Sequence, residues 1–200
     1  MTIELRDYQR DAIERVRKQI ASGKRSIALA APTGAGKTVI AGAIILSAYT
    51  RNRRVVFFAH RRELIGQTYR KLIDAGIPEL AIGVMMGDDR RTRPNAPIQI
   101  CSIDTWRNRE PPPADLVVID ECHRTLSDSY LRAVAHYGGA VILGLSATPY
   151  RADRRGLGDV YEALEVVSSP RELSGGKPDL SRVHTRGGDY VERELAAAMN

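Results

Sequence analysis

Ala31-Pro32-Thr33-Gly34-Ala35-Gly36-Lys37-Thr38 stands between an apolar run over Ser26–Ala30 and a longer apolar run over residues 39–49. An apolar pentapeptide, a turn with two glycines and a helix-length stretch read as strand, loop and helix, the context a phosphate-binding loop requires. Gly34 and Gly36 omit the Cβ atoms that would hold backbone N–H groups away from an anion. A helix opening near Lys37 adds the partial positive charge of its N-terminus. Lys37 supplies a cation for β- and γ-phosphates, and Thr38 a hydroxyl for a Mg²⁺ shell. Pro32, Thr33, Gly34, Ala35, Gly36, Lys37 and Thr38 are therefore the candidate nucleotide-binding residues. The competing reading is a glycine-rich turn with a solvated lysine. The generic pattern also has glycine six residues before the lysine, where this chain has Ala31.

A second site element decides between them. Leu116-Val117-Val118-Ile119 has the continuous apolar character of a strand covered on both faces, and Asp120-Glu121-Cys122-His123 follows at once. Adjacent acids at the end of a buried strand need a cationic partner. With Lys37 placed on phosphate, that partner is Mg²⁺: Asp120 holds the ion, and Glu121 orients and deprotonates the attacking water. Lys37, Asp120 and Glu121 are the candidate catalytic residues, with Thr38 and Asp120 on the metal. Cys122-His123 as half of a zinc site is the rival, and no further ligands stand at zinc spacing.

Ala31-x-Thr33-Gly34-x-Gly36-Lys37-Thr38 followed by Asp120-Glu121-Cys122-His123 resembles the first two motifs of the superfamily 2 DEAD/DEAH-box helicases, in a DECH variant. The resemblance covers residues 5 to about 165 in motif order and organises the remaining segments. Leu5-Arg6-Asp7-Tyr8-Gln9, about thirty residues before Lys37, is similar to the adenine-reading motif. It implies that Gln9, and Arg6 beside it, contact the base. His60-Arg61-Arg62, at the end of an apolar run over residues 54–59, is otherwise a solvated charge run; in the family's place it implies a DNA-backbone contact. Cys101-Ser102-Ile103-Asp104-Thr105-Trp106 occupies the next nucleic-acid motif and carries Thr105 over to phosphate. Asp104 and Trp106 depart from that pattern, and Trp106 reads either as a base-stacking surface or as core. Ser146-Ala147-Thr148, after an apolar run over residues 140–145, resembles the Ser-Ala-Thr coupling motif, and implies that His123 bonds to Ser146 or Thr148. Arg151 extends it toward nucleic acid. The nearest branch is the RadD-like and type III restriction-subunit group, on residues 151–161 and 181–190.

Composition agrees with such a partner. The 200 residues carry a net charge of +6, from 25 Arg and 5 Lys against 24 acids. Arginine's planar fork suits phosphate, which makes DNA the expected polymer, with RNA as the alternative. Two cysteines are too few for a disulfide framework. Glu4, Arg6 and Asp7 stand where a signal peptide would be apolar, and no run is long enough for a bilayer, so the expectation is a cytoplasmic protein without a membrane partner.

The fold expected is α/β: a RecA-like P-loop NTPase lobe with a mostly parallel sheet flanked by helices on both faces. Residues 1–167 form that ATP-binding domain; 168–200 read as a linker and short helix, with no second lobe. Family motors place ATP between two lobes. The chain is therefore expected to bind ATP and Mg²⁺, hydrolyse slowly by itself and work with a second RecA-like lobe in trans. A non-catalytic nucleic-acid-binding fragment that retains ATP affinity is the alternative.

Overall fold

The computed structural model describes residues 4–125, 127–147, 158 and 160–167. Seven strands, β1 Ser26–Ala30, β2 Val55–Ala59, β3 Ile82–Met85, β4 Ile98–Ser102, β5 Leu116–Ile119, β6 Val141–Ser146 and β7 Ala163–Val166, lie in the order β3-β4-β2-β5-β6-β1-β7. Every strand pairing among the described residues is parallel. The carboxyl ends of β1, β2, β5 and β6 therefore open on one edge, which is where such a sheet holds its ligand.

Alternation along the strands builds two cores. Val55, Phe57, Leu29 and Leu145 face one side, where α1 Asp7–Ala21 delivers Ala12, Ile13 and Val16, α2 Lys37–Tyr49 delivers Ile40, Ala41 and Ile45, and α3 Arg62–Asp74 delivers Ile65, Tyr69 and Leu72. Val56, Phe58, Val117 and Ile119 face the other, against Trp106 of the one-turn helix α4 Ile103–Trp106 and Tyr130 and Ala133 of α5 Asp128–His136. A strand wanted by two layers has no solvent face, which is why the sequence runs of β2 and β5 are apolar throughout.

Element boundaries differ from the sequence reading by a residue or two. The apolar run over residues 140–145 becomes β6, which runs one residue later, through Ser146, and a 3-10 turn, Glu79–Ala81, leads into β3. Sequence periodicity did not single out α5 or β7. β7 is held by side chains of α1: Arg15 Nε donates to Glu165 Oε2 at 3.0 Å and Gln19 Nε2 to Glu165 Oε1 at 2.7 Å. Among the described residues no helix is long and apolar enough to cross a membrane. The segment 168–200, read as linker and terminal helix, lies outside the described residues.

Candidate nucleotide site and its nucleic-acid edge

The phosphate loop forms at the end of β1 because its backbone turns through two left-handed glycines. Gly34 has φ +87° and Gly36 φ +78°, conformations that a side chain disfavours. Gly36 also caps α2, its carbonyl accepting from Val39 N at 2.8 Å and Ile40 N at 3.0 Å. The loop's entry is fixed by Ala31 N, which donates to Ser146 O at 2.9 Å. That bond joins the phosphate loop to the first residue of the Ser-Ala-Thr segment through backbone alone. Lys37 Nζ donates to Ala31 O at 2.9 Å, so the ammonium lies back across its own loop with two further N–H donors to give. Thr38 is half-buried on the first turn of α2.

Gln9 sits against this loop. Its side chain is buried, Nε2 donates to Ala35 O at 3.2 Å, and Oε1 accepts from Arg6 N at 3.0 Å, the backward reach of a third helical residue to its cap. Both ends of the carboxamide are thus engaged by protein, and Arg6 is exposed beside it. Tyr8, which sequence reasoning did not select, donates its hydroxyl to the same Ala35 carbonyl at 3.2 Å.

Asp120 extends β5 by one bond, its N–H donating to Phe58 O at 3.0 Å, and its Oδ1 accepts from Glu121 N at 3.0 Å. Burial, and then the adjacent Glu121 charge, push the Asp120 carboxyl above its ordinary value; the Glu121 N–H, Lys37 and Lys71 pull the other way. Lys37 and Asp120 are therefore close enough to act on each other electrostatically. The carboxylate of half-buried Asp120 and the hydroxyl of half-buried Thr38 are hard oxygen donors of the kind that fits Mg²⁺.

Glu121 has φ +53° and ψ +52°, one of two non-glycine residues with positive φ among those described. A left-handed backbone at such a residue costs on the order of 1–3 kcal/mol and concentrates at functional sites. It opens the 3-10 turn Cys122–Arg124. His123 Nδ1 lies 3.2 Å from Glu121 Oε2, an ion-pair separation for a protonated ring but outside hydrogen-bond alignment. Ser146 is buried at the end of β6, and Thr148 lies outside the described residues. Cys122 is fully buried and burial lifts its thiol to about 12, and among the described residues no three His, Cys, Asp or Glu side chains are grouped to hold a metal. The zinc alternative has no support here.

His60, Arg61 and Arg62 are exposed at the carboxyl end of β2 and the start of α3. A cavity of about 470 Å³ lined by His60, Arg61, Glu63, Leu64, Glu121 and His123 connects that run with the acids. Thr105 accepts from Gly87 N at 3.3 Å, and Arg109 Nη2 donates to Gly87 O at 2.8 Å, so the loop after β3 is tied to α4. Of that loop's arginines, Arg91 pairs with Asp89 at 2.6 Å, holding the carboxyl near 2, and Arg93 donates to Ile82 O at 3.0 Å. Of the two readings of Trp106 the structure bears out core: it is buried edge-on against Phe58 with Nε1 donating to Tyr137 Oη at 3.1 Å. Arg151 lies outside the described residues.

The fold matches solved helicase lobes. The bacteriophage T4 UvsW helicase aligns with a TM-score of 0.65 at 18% identity over 82% of this chain and 60% of its own. The Hef helicase domain of Pyrococcus furiosus aligns with a TM-score of 0.66 at 20% identity over 81% of this chain and 37% of its own. In sequence, IRC3 of Saccharomyces cerevisiae, whose name describes an ATP-dependent helicase, is 28% identical over 98% of this chain and 33% of its own length. The ATP-dependent DNA helicase MPH1 of Candida albicans is 26% identical over 82% of this chain and 15% of its own length. The chain thus spans a third or less of these curated relatives. Residues 2–151 match the family described as the type III restriction enzyme res subunit. The fold is thus that of the RecA-like part of these solved helicases, and with three quarters of its length in that match, the chain belongs to the type III restriction enzyme res-subunit family.

Proposed function

We propose that this lobe binds ATP with Mg²⁺ on the loop 31–38 and hydrolyses it as the first half of a DNA-translocating motor. The observation that carries the reading is the convergence of Lys37, on the first turn of α2, and Asp120, just past β5, which act on each other electrostatically. Backbone N–H groups of 33–38 and the Lys37 ammonium receive the phosphates. Thr38 and Asp120 hold the metal, which when bound offsets phosphate charge. Glu121 accepts the proton of the attacking water as the water oxygen bonds to the γ-phosphorus and the bond from that phosphorus to the β–γ bridging oxygen breaks, leaving ADP and phosphate. Gln9 and Arg6 contact the base once the carboxamide turns from Ala35. Ser146 reports on the loop through Ala31, and His123, Ser146 and Thr148 pass the nucleotide state to the polymer edge. His60, Arg61, Arg62, Thr105 and Arg151 hold DNA phosphates there. Relatives named as DNA helicases favour DNA over RNA. A second RecA-like lobe supplies the arginine finger, a contribution of about three to five orders of magnitude in turnover.

The 3.2 Å approach of His123 to Glu121 favours one other reading, nucleotide-gated DNA binding without turnover, because a ring standing against the carboxylate competes with water for it. Measuring ATP turnover with and without single- and double-stranded DNA separates the two. Turnover that rises with DNA supports the motor, and nucleotide binding without phosphate release supports the alternative.

A further inference from the structure

Tyr161 falls in a segment that the site above does not use. It is 5% exposed, and its ring lies against Gly144 of β6. A Cβ at position 144 would stand 2.5 Å from Tyr161 Oη and 2.7 Å from Cys122 Cβ, so the glycine leaves the slot through which the ring reaches the turn behind the acids. Tyr161 Oη is 2.9 Å from Thr125 Oγ1, and Thr125 Oγ1 donates its single proton to Cys122 O at 2.6 Å. Tyrosine is therefore the donor, and the chain runs one way, from Tyr161 through Thr125 to the Cys122 carbonyl. Burial pushes the Tyr161 hydroxyl well above its ordinary value, which keeps that donor protonated. The root of the segment is fixed too. Glu162 N donates to Ser26 O at 2.8 Å, while its carboxylate accepts from Arg25 N at 2.6 Å and Ser26 N at 2.9 Å.

At the far end of this chain stands Glu121 in its left-handed backbone. Such a conformation persists where the surroundings over-determine it. Asp120 Oδ1 holds the Glu121 N–H on one side at 3.0 Å. On the other side the turn is closed on the Cys122 carbonyl, by Thr125 N at 2.9 Å and by the hydroxyl that Tyr161 supports.

We propose that Tyr161 is a positioning residue for hydrolysis: through Thr125 and the Cys122 carbonyl it braces the turn that keeps Glu121 left-handed and its carboxylate aimed at water. The catalytic half of this inference rests on Glu121 being the base; the brace itself does not. The test uses the full chain with Tyr161→Phe, Thr125→Val and Thr125→Ser, reading kcat and KM for ATP together with amide exchange at Thr125. Tyr161→Phe and Thr125→Val are expected to lower kcat by about tenfold with KM held within about twofold, while Thr125→Ser, which keeps the hydroxyl, stays near wild type. Thr125 amide exchange is expected to quicken in the first two variants while the β1 and β5 amides stay protected. Unchanged Thr125 exchange would overturn the brace, whatever the turnover. Faster exchange with unchanged kcat would overturn the positioning role and leave Glu121 as base intact. Parallel loss of kcat, ATP affinity and thermal stability would reduce Tyr161 to a core residue. A wild-type chain that binds ATP without turnover would sink the hydrolytic reading instead, and the exchange measurement would still decide the brace.

Discussion

Gln9 Nε2 donates to the Ala35 carbonyl at 3.2 Å, and together with Tyr8 Oη on the same carbonyl it ties helix α1 to the middle of the loop 31–38. The residue expected to read the base is thus also a strut of the loop proposed to receive the phosphates. Gln9→Ala removes one buried and one part-buried hydrogen bond, each worth about 1 kcal/mol, and is expected to lower the melting temperature by several degrees. Affinity for ATP over GTP is expected to fall in the same variant. Differential scanning fluorimetry and nucleotide competition check the two effects. Unaltered base preference would leave Gln9 as a strut only.

The two loop glycines are expected to differ. At Gly34 a Cβ meets nothing within 4 Å, so Gly34→Ala costs only the positive φ, on the order of 1 kcal/mol. At Gly36 the same conformation is joined by a collision of the Cβ with Gln9 Nε2. Gly36→Ala must displace Gln9 or the loop, and is expected to lose nucleotide affinity by at least tenfold more than Gly34→Ala. Titration with a fluorescent ATP analogue decides it, and equal losses would show that Gln9 yields freely.

How much of this could be read beforehand follows from what each signal depends on. The apolar runs of β2 and β5 announce buried parallel strands because two layers claim every residue, so the fold class and the loop were legible in the sequence. β7 was not, because Ala163-Leu164-Glu165-Val166 is short, lies at the sheet edge and buries a glutamate whose partners, Arg15 and Gln19, are remote in sequence. Trp106 looked the same as a stacking platform or as core until Tyr137 supplied its N–H with an acceptor. The left-handed Glu121 leaves no trace in a sequence at all, since nothing local to an Asp-Glu pair demands it. Thr105 was placed near nucleic acid by resemblance, and its bond to Gly87 could not be foreseen because loop-to-loop contacts carry no periodicity.

Lys37 and Glu121 are expected to separate binding from chemistry. Lys37→Ala removes a phosphate charge partner and should abolish ATP binding, whereas Glu121→Gln keeps the shape and the phosphate contacts but cannot take a proton. Equilibrium binding and single-turnover phosphate release, measured side by side, give the answer. Equal loss of affinity in both variants would remove Glu121 from the role of base.

Polymer binding at the exposed run is expected to be electrostatic and indifferent to sequence. Replacing Arg61 and Arg62 together by alanine should flatten the dependence of log K on log salt by about 1.8 for duplex DNA, if each neutralises one phosphate. Fluorescence anisotropy across a salt series measures that slope. A variant with the wild-type slope would return the run to a solvated helix start.

Asp120 is expected to cost the fold stability that its function requires. Burial and the Glu121 charge raise its carboxyl above the model-compound value of 3.8, so the folded chain holds a proton that the unfolded chain releases. Stability therefore falls as pH rises from 3.8 through the raised folded value, and the full cost is present above it. Asp120→Asn removes the titration and is expected to melt higher than wild type at neutral pH. That advantage should shrink as pH is lowered through the folded value and vanish by 3.8. Denaturant midpoints of the two proteins across this range give the difference directly. The same substitution takes away the charge proposed to hold Mg²⁺, so ATP with Mg²⁺ should raise the melting temperature of wild type well above ATP with a chelator, and the variant should show little such difference. A variant that is no more stable than wild type at neutral pH would mean that Lys37 and Lys71 already compensate the carboxylate. The cation would then be drawn by phosphate alone, with Asp120 no longer the protein's hold on it.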